Sequence, residues 1–409
     1  MPQPIGATHP SELDQEAERL LRFASAGRHP QGGFAWLEDQ GRPQLERDVE
    51  LWITCRMTHV FALGTLLGFP GAESLVDHGV AALTGRLRDE RYGGWYAAVG
   101  RDGPTVTRKG AYEHAFVVLA ASSASVAQRP GARALLADAL DLQTRRYWDE
   151  VPGAVVDVWN RDFTWLEDYR GANANMHTVE AYLAAADVTR DRLWLERARR
   201  IVERFLGVAR DHGWRLPEHF DTRWEPMLDH NLDEPAHPFR PYGATVGHAF
   251  EWARLALHVW AADGRTAPEL LRDAAALFDR AVADGWWADG EPGFVYTTDW
   301  EGRPVVRSRL HWVVTEAINA AAALHLATGD EQYGAWYRTW WDYATRFLVD
   351  HDGGSWHHEL DARNRPAASV WSGKPDVYHA LQATLVPRLP LTPSLATALV
   401  PDERAPDSA

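Results

Sequence analysis

Apolar residues recur at helical spacing over about twelve stretches of this chain, near 12–27, 47–68, 72–87, 109–127, 132–146, 172–188, 191–209, 243–262, 266–283, 309–328, 331–348 and 375–388. These segments alternate in character. The odd-numbered ones are amphipathic, as in "DRLWLERARRIVERFLGVAR", and the even-numbered ones are nearly apolar all round, as in "DVELWITCRMTHVFALGTLLG". A helix with one polar face lies at a surface, whereas one without is buried. The alternation therefore predicts two concentric layers. Ser11, with Asp14 three residues on, is expected to cap the first helix.

Gly/aromatic segments stand before most of the even helices: "GGFAWLEDQGRP", "GGWYAAVGRDGP", "PGFVYTTDWEGRP" and "GGSWHHELDARNRP". Each reads as two short strands around a turn. Histidines on or beside the even helices fall at 59, 114, 177, 248, 311 and 379, with gaps of 55, 63, 71, 63 and 68. The architecture repeats six times while the sequence does not. Six outer and six inner helices make an all-α (α/α)6 barrel, with short hairpins and inner-helix starts converging at one mouth. A single domain over 1–409 is expected. Only the tails, about 1–10 and 389–409, fall outside it, and the Pro-rich second tail is expected to be disordered.

Polar residues on the inner helices then face a shared cavity or remain buried at a cost of several kcal/mol each. The second helix offers Arg56 and His59, and the fourth offers Tyr112, Glu113 and His114. The sixth offers Asn173, Asn175, His177 and Glu180. The eighth offers His248 and Glu251, with Arg240 in the loop before it. The tenth offers His311, Trp312 and Glu316, and the twelfth offers Asp376, His379 and Gln382. His59, His114 and His311 read as satisfied core residues. His177, His248 and His379 gather with carboxylates near one end, and that convergence points to a functional cavity.

Histidine and carboxylate are proper ligands for zinc, manganese or iron, but neither H-E-x-x-H nor a close His-x-His occurs, so no metal and no cofactor is expected. Histidine also titrates near neutrality, and a carboxylate beside it fixes its tautomer. His248, held by Glu251 or Glu316 and facing His379, forms a pair of proton-transfer groups with neither serine nor cysteine beside them. That pattern suits moving a proton next to a carbonyl.

Bulk properties narrow the partners. A net charge of −15 argues against nucleic acid and anionic membrane. The single cysteine, Cys55, excludes an internal disulfide and a thiolate metal cluster. No secretory signal is visible at the start and no apolar run reaches the roughly 18 residues of a membrane span, so a cytoplasmic protein is expected. The 20 tryptophans call for a large core or a cleft that stacks on flat ligands. A monomer or homodimer is the expectation.

At these residues the sequence resembles the N-acylglucosamine 2-epimerase superfamily, and within it the branch of mannose and sulfoquinovose isomerases. The resemblance runs from "LERDVELWITCRMTHVFALG" through "YEHAFVVLA", "GANANMHTVEAYLAA", "FRPYGATVGHAFEWARL" and "RLHWVVTEAINAA" to "WSGKPDVYHALQATLVP". It implies the (α/α)6 barrel, metal-independent interconversion of sugars, and two essential histidines, here His248 and His379. It further implies that Arg56, Tyr112, Asn173, His177, Arg240, Trp312 and Asp376 bind the sugar, that Glu251 orients His248, and that Glu316 joins the catalytic set. Mannose–fructose is the expected monosaccharide pair, with lyxose–xylulose beside it. Glu359, expected at the rim, would repel the sulfonate of sulfoquinovose. Sulfoquinovose isomerisation and 2-epimerisation are the alternatives within the superfamily. A glycoside hydrolase using Glu316 and Asp376 is the rival on the same fold, and a non-catalytic sugar-binding protein is the more distant one.

Overall fold

A computed structural model describes residues 10–400. Six apolar helices form its inner ring: α2 (Leu51–Leu66), α4 (Ala111–Val126), α6 (Ala172–Thr189), α8 (Val246–Ala262), α10 (His311–Thr328) and α12 (Tyr378–Leu385). Each packs on the next, and α12 closes the circle against α2. The outer layer is α1 (Pro10–Ala24), α3 (Ala72–Thr84), α5 (Ala132–Leu142), α7 (Arg192–Asp211), α9 (Pro268–Gly285) and α11 (Glu331–Tyr343). Alternation of character thus became alternation of layer, and the fold is the (α/α)6 barrel. No helix among the described residues is long and apolar enough to cross a membrane.

The short strands do more than form local hairpins. The two residues entering an inner helix pair antiparallel with the hairpin of the following unit. Val49–Glu50 meet Ala98–Val99, Lys109–Gly110 meet Val158–Trp159, and Arg170–Gly171 meet His219–Phe220. Ala244–Thr245 meet Thr297–Thr298, and Arg309–Leu310 meet Glu359–Leu360. These pairs fix the inner-helix starts at one end of the ring.

Buried ion pairs repeat at the same level. Lys109 donates to Asp89 at 3.0 Å, Arg309 makes a two-pronged pair with Asp289 at 2.9 and 2.7 Å, and Lys374 donates to Asp350 at 2.5 Å. In each case a cation at or just ahead of an inner-helix entry reaches an aspartate in the turn behind it. Neither partner of the first pair is exposed at all, so removing Asp89 would strand the Lys109 charge in the interior, whereas Asp89 also accepts from Arg161 at 3.0 Å.

Three details of the sequence reading change. The first helix begins at Pro10, which suits a first-turn position, so Ser11 lies inside it instead of capping it. The twelfth is only Tyr378–Leu385, with a tight turn following over Val386–Arg388. Residues 389–400 are not a loose tail. His258 Nδ1 donates to the Leu391 carbonyl at 2.7 Å, Asp187 accepts from the Ser394 backbone N–H at 2.6 Å, and a short helix α13 (Leu395–Ala398) buries Ala396. Leu391 and Ala396 supply the apolar contacts that its proline-rich composition obscured. Residues 1–9 and 401–409, the remainder of both expected tails, lie outside the described residues.

Candidate active site

Fixed helix starts bring side chains from every inner helix to one cavity of about 60 Å3. Arg56, Tyr112, Asn173, His177, His248, Glu251, Trp312, Asp376 and His379 all line it. Trp52, Phe239, Tyr296, His358 and Trp371 do so as well, and none of these was singled out from the sequence. His311, read as a core histidine, is also in the wall, stacked on His358 with ring centroids 3.8 Å apart. His59 and His114 are core residues: His59 pairs with Ser123 at 2.7 Å, and His114 pairs with the Gly110 carbonyl at 2.7 Å.

Each of the two central imidazoles is held by a carboxylate. His248 Nδ1 donates to Glu218 Oε1 at 2.9 Å, and His379 Nδ1 donates to Glu316 Oε1 at 2.9 Å. A proton fixed on Nδ1 leaves the lone pair of a neutral imidazole on Nε2. Burial, followed by Arg56 and His311, holds the His379 imidazole well below its ordinary value, so the ring is neutral and free to accept a proton. Both imidazoles lie against Trp312, at 5.0 and 6.0 Å between ring centroids. The indole can come so near α8 because residue 247 is glycine. A Cβ there would sit 2.3 Å from Trp312 Cζ3.

Glu251 does not hold His248. Three residues along a helix share a face, but the Glu251 carboxylate turns to His177 Nδ1, 3.6 Å away, and to Arg254, 3.5 Å away. The carboxylate that takes its place, Glu218, enters from the loop before the His219–Phe220 strand, where no helical period marks it. Neither Glu251 oxygen has a hydrogen-bond partner among the described residues. Burial, then the neighbouring Glu316 charge, pushes its carboxyl well above the ordinary range, which favours its neutral form. Glu316 stays outside the cavity wall and ties Arg254 (2.9 Å) to His379.

Arg56 is fixed between Tyr112 Oη at 3.0 Å and Asp376 Oδ2 at 3.4 Å, and its guanidinium lies over the Phe116 and Tyr378 rings. Arg240, expected among the sugar ligands, is elsewhere. It forms a two-pronged pair with Glu167 at 2.8 and 2.9 Å and stacks on Tyr169, facing a wider cleft of about 990 Å3. That cleft adjoins the small cavity through Trp52, Tyr112, Asn173 and Phe239. Glu359 is buried and accepts from the Val370 and Trp371 backbone N–H groups at 2.7 and 2.9 Å. Its charge is spent holding the loop that carries Trp371, so the argument that it would repel a sulfonate fails.

His177, Glu180 and Glu251 offer ligand atoms all within 4.8 Å of one another, as a metal ion would need. Their surroundings oppose one. Glu180 already accepts from Tyr378 Oη and from Gln382 Nε2, and the Arg254 cation stands beside Glu251.

The comparisons agree with this geometry. The family model for N-acylglucosamine 2-epimerase (GlcNAc 2-epimerase) matches residues 32–383. The chain is similar to a D-mannose isomerase of Thermobifida fusca, 56% identical over 396 residues and covering 96% of this chain and 97% of the relative. It is also similar to a D-mannose isomerase of Pseudomonas cannabina pv. alisalensis, 50% identical over 96% of this chain and 95% of that one. A crystal structure of D-mannose isomerase superposes with a TM-score of 0.86 at 27% identity, over 93% of this chain and 98% of the other. The cellobiose 2-epimerase of Spirochaeta thermophila, at 21% identity and a TM-score of 0.80 over 93% and 95% of the two chains, shares the fold. The chain therefore belongs to the N-acylglucosamine 2-epimerase family and is a sugar isomerase.

Proposed function

We propose that the protein interconverts D-mannose and D-fructose, and the pentose pair D-lyxose and D-xylulose, by histidine acid/base chemistry without a metal. One observation supports this reading above the others: two imidazoles, each with Nδ1 bound to a carboxylate at 2.9 Å, line a single cavity that adjoins a wider cleft. The names of the relatives support the choice of mannose.

In this reading His379 opens the pyranose. It takes the anomeric hydroxyl proton and delivers it to the ring oxygen as the bond from C1 to that oxygen breaks, which leaves His379 neutral again. His248 Nε2 then removes the C2 proton from the open aldose, and the electron pair passes through C1 to the carbonyl oxygen. The resulting cis-enediolate carries negative charge that Arg56, a permanent cation, and the protonated Glu251 can stabilise. His248 returns the proton to C1 while the O2 hydroxyl proton passes to O1, so that O2 becomes the ketone and O1 a hydroxyl. One proton leaves C2, one arrives at C1, and the sugar's formula is unchanged. Trp312 and Tyr112 pack on the apolar face of the sugar, and Asn173, His177 and Asp376 take its hydroxyls.

The test is mannose incubated with the protein in D2O, followed by NMR. Deuterium at C1 of fructose or C2 of mannose is expected. His248→Ala and His379→Ala should each abolish turnover while sugar binding survives. Near-normal rates in both variants would end the assignment, and cleavage of a mannoside without exchange would favour a hydrolase.

A further inference from the structure

Towards the C-terminal ends of the inner helices the ring encloses a second cavity, of about 230 Å3. None of its lining residues is in the wall of the sugar site. Its roof is the C-terminal segment from Leu391 to Ala396, and its sides are apolar, from Leu119, Leu183, Leu195 and Leu255. Its polar lining is different. Glu180 and Arg254 lie there together, with His59, Ser123 and His258. Three nitrogens on these residues, His59 Nε2, His258 Nε2 and Arg254 Nη2, have no hydrogen-bond partner among the described residues.

The chemistry of that lining selects a ligand class. His258 Nδ1 donates to the Leu391 carbonyl, and burial pushes the ring's pKa down to about 4, so the Nε2 of the neutral ring is an acceptor. Arg254 only donates and Glu180 only accepts. Three guanidiniums, of Arg190, Arg192 and Arg254, balance three carboxylates, of Glu180, Asp187 and Asp191, while the two imidazoles are neutral. A free anion would meet Glu180, and a free cation would meet Arg254. An apolar guest would leave the three free nitrogens unpaired, at about 1–3 kcal/mol each. A hydroxyl group donates and accepts at once, and several hydroxyls on a short carbon chain match the mixed lining and its leucine walls. We propose that this cavity is a second binding site, for a small neutral polyol.

The proposal stands apart from the catalytic assignment and is tested apart from it. Xylitol is titrated against the full-length protein and followed by saturation-transfer NMR. Asn173→Trp fills the sugar site, while Ala186→Trp and Leu195→Trp each fill the second cavity from its wall. Xylitol should bind N173W about as well as the unmodified protein, and at least about tenfold more weakly to A186W and L195W. Both cavity-filled variants should isomerise mannose within about twofold of the unmodified rate, which also reports that they fold. Absence of xylitol binding to the unmodified protein, its loss in N173W, or its survival in both A186W and L195W would overturn the proposal. Binding of inorganic phosphate in place of xylitol would overturn the ligand class.

Discussion

Glu218 is the residue on which the proposed chemistry can be tested most sharply, because the sequence pointed to Glu251 in its place. Glu218→Gln is nearly isosteric and removes only the charge and one acceptor oxygen. His248 then loses a buried charge-assisted hydrogen bond of 2.9 Å. A glutamine at this position can also turn its NH2 toward Nδ1, which drives the imidazole proton to Nε2 and removes the lone pair that must take the C2 proton. Loss of the correct tautomer in a carboxylate–histidine pair costs up to about 10⁴ in kcat, and a general base contributes about 10²–10⁴. E218Q should therefore lose about 10²–10⁴ in kcat, or about 3–5 kcal/mol of transition-state stabilisation. KM should change little, since Glu218 is not in the cavity wall.

Glu251→Gln supplies the contrast. Burial favours the neutral form of this carboxyl, and glutamine is a neutral group of the same shape, so the E251Q rate should stay within about tenfold of the unmodified enzyme. The assay is mannose turnover for both variants across substrate concentration, with C2 deuterium exchange measured alongside. E218Q with kcat within about threefold of normal, or E251Q impaired more than E218Q, would refute the reasoning about which carboxylate holds His248.

Three further outcomes follow from the same geometry. Gly247→Ala places a Cβ 2.3 Å from the Trp312 indole, so that ring must move from between α8 and His379; steady-state kinetics should show at least about a tenfold loss in kcat/KM. Asp89→Leu strands the buried Lys109 ammonium, whose other partner is the Gly93 carbonyl, and should cost about 3–5 kcal/mol in urea unfolding, whereas the double variant with Lys109→Met should recover much of it. The fold should also be acid-labile. Burial lowers buried His59, His219 and His311 to about 4 and His114 to about 3, so as pH falls below about 6.5 the unfolded chain takes up protons that the folded one refuses. Between about pH 7 and about pH 5.5 these four remove about 1 kcal/mol each. Asp157, raised to about 7 by burial, and the raised Glu251 work in the opposite direction and offset part of this. A urea midpoint that does not fall over this range would contradict the balance.

The layers of the barrel were legible because they rest on a property summed over a whole helix. α2 and α4 have almost no polar face and α7 has a strong one, and no single residue decides either outcome. Much of the wall of the site was legible for the same reason, from polar residues on apolar helices: Arg56, His177, His248, Glu251 and His379 reach the cavity, as does Asp376 just ahead of α12, whereas Glu180 and Glu316 do not. What the sequence hid came from loops. Glu218, Phe239, His358 and Trp371 have no helical neighbours to mark them as inward-facing, and Arg240 was misplaced for the same reason, since its direction is set by Glu167 in a different hairpin. Glu251 shows the limit within a helix. Periodicity put it on the same side as His248, but a partner must also lie at the right height. Glu218 does, because pairing of Gly171 with His219 sets the strand that follows it directly behind α8. The pairing between adjacent units, which holds the helix starts level, is therefore also what completes the His248 site, and a change that loosens that strand should impair catalysis as E218Q does.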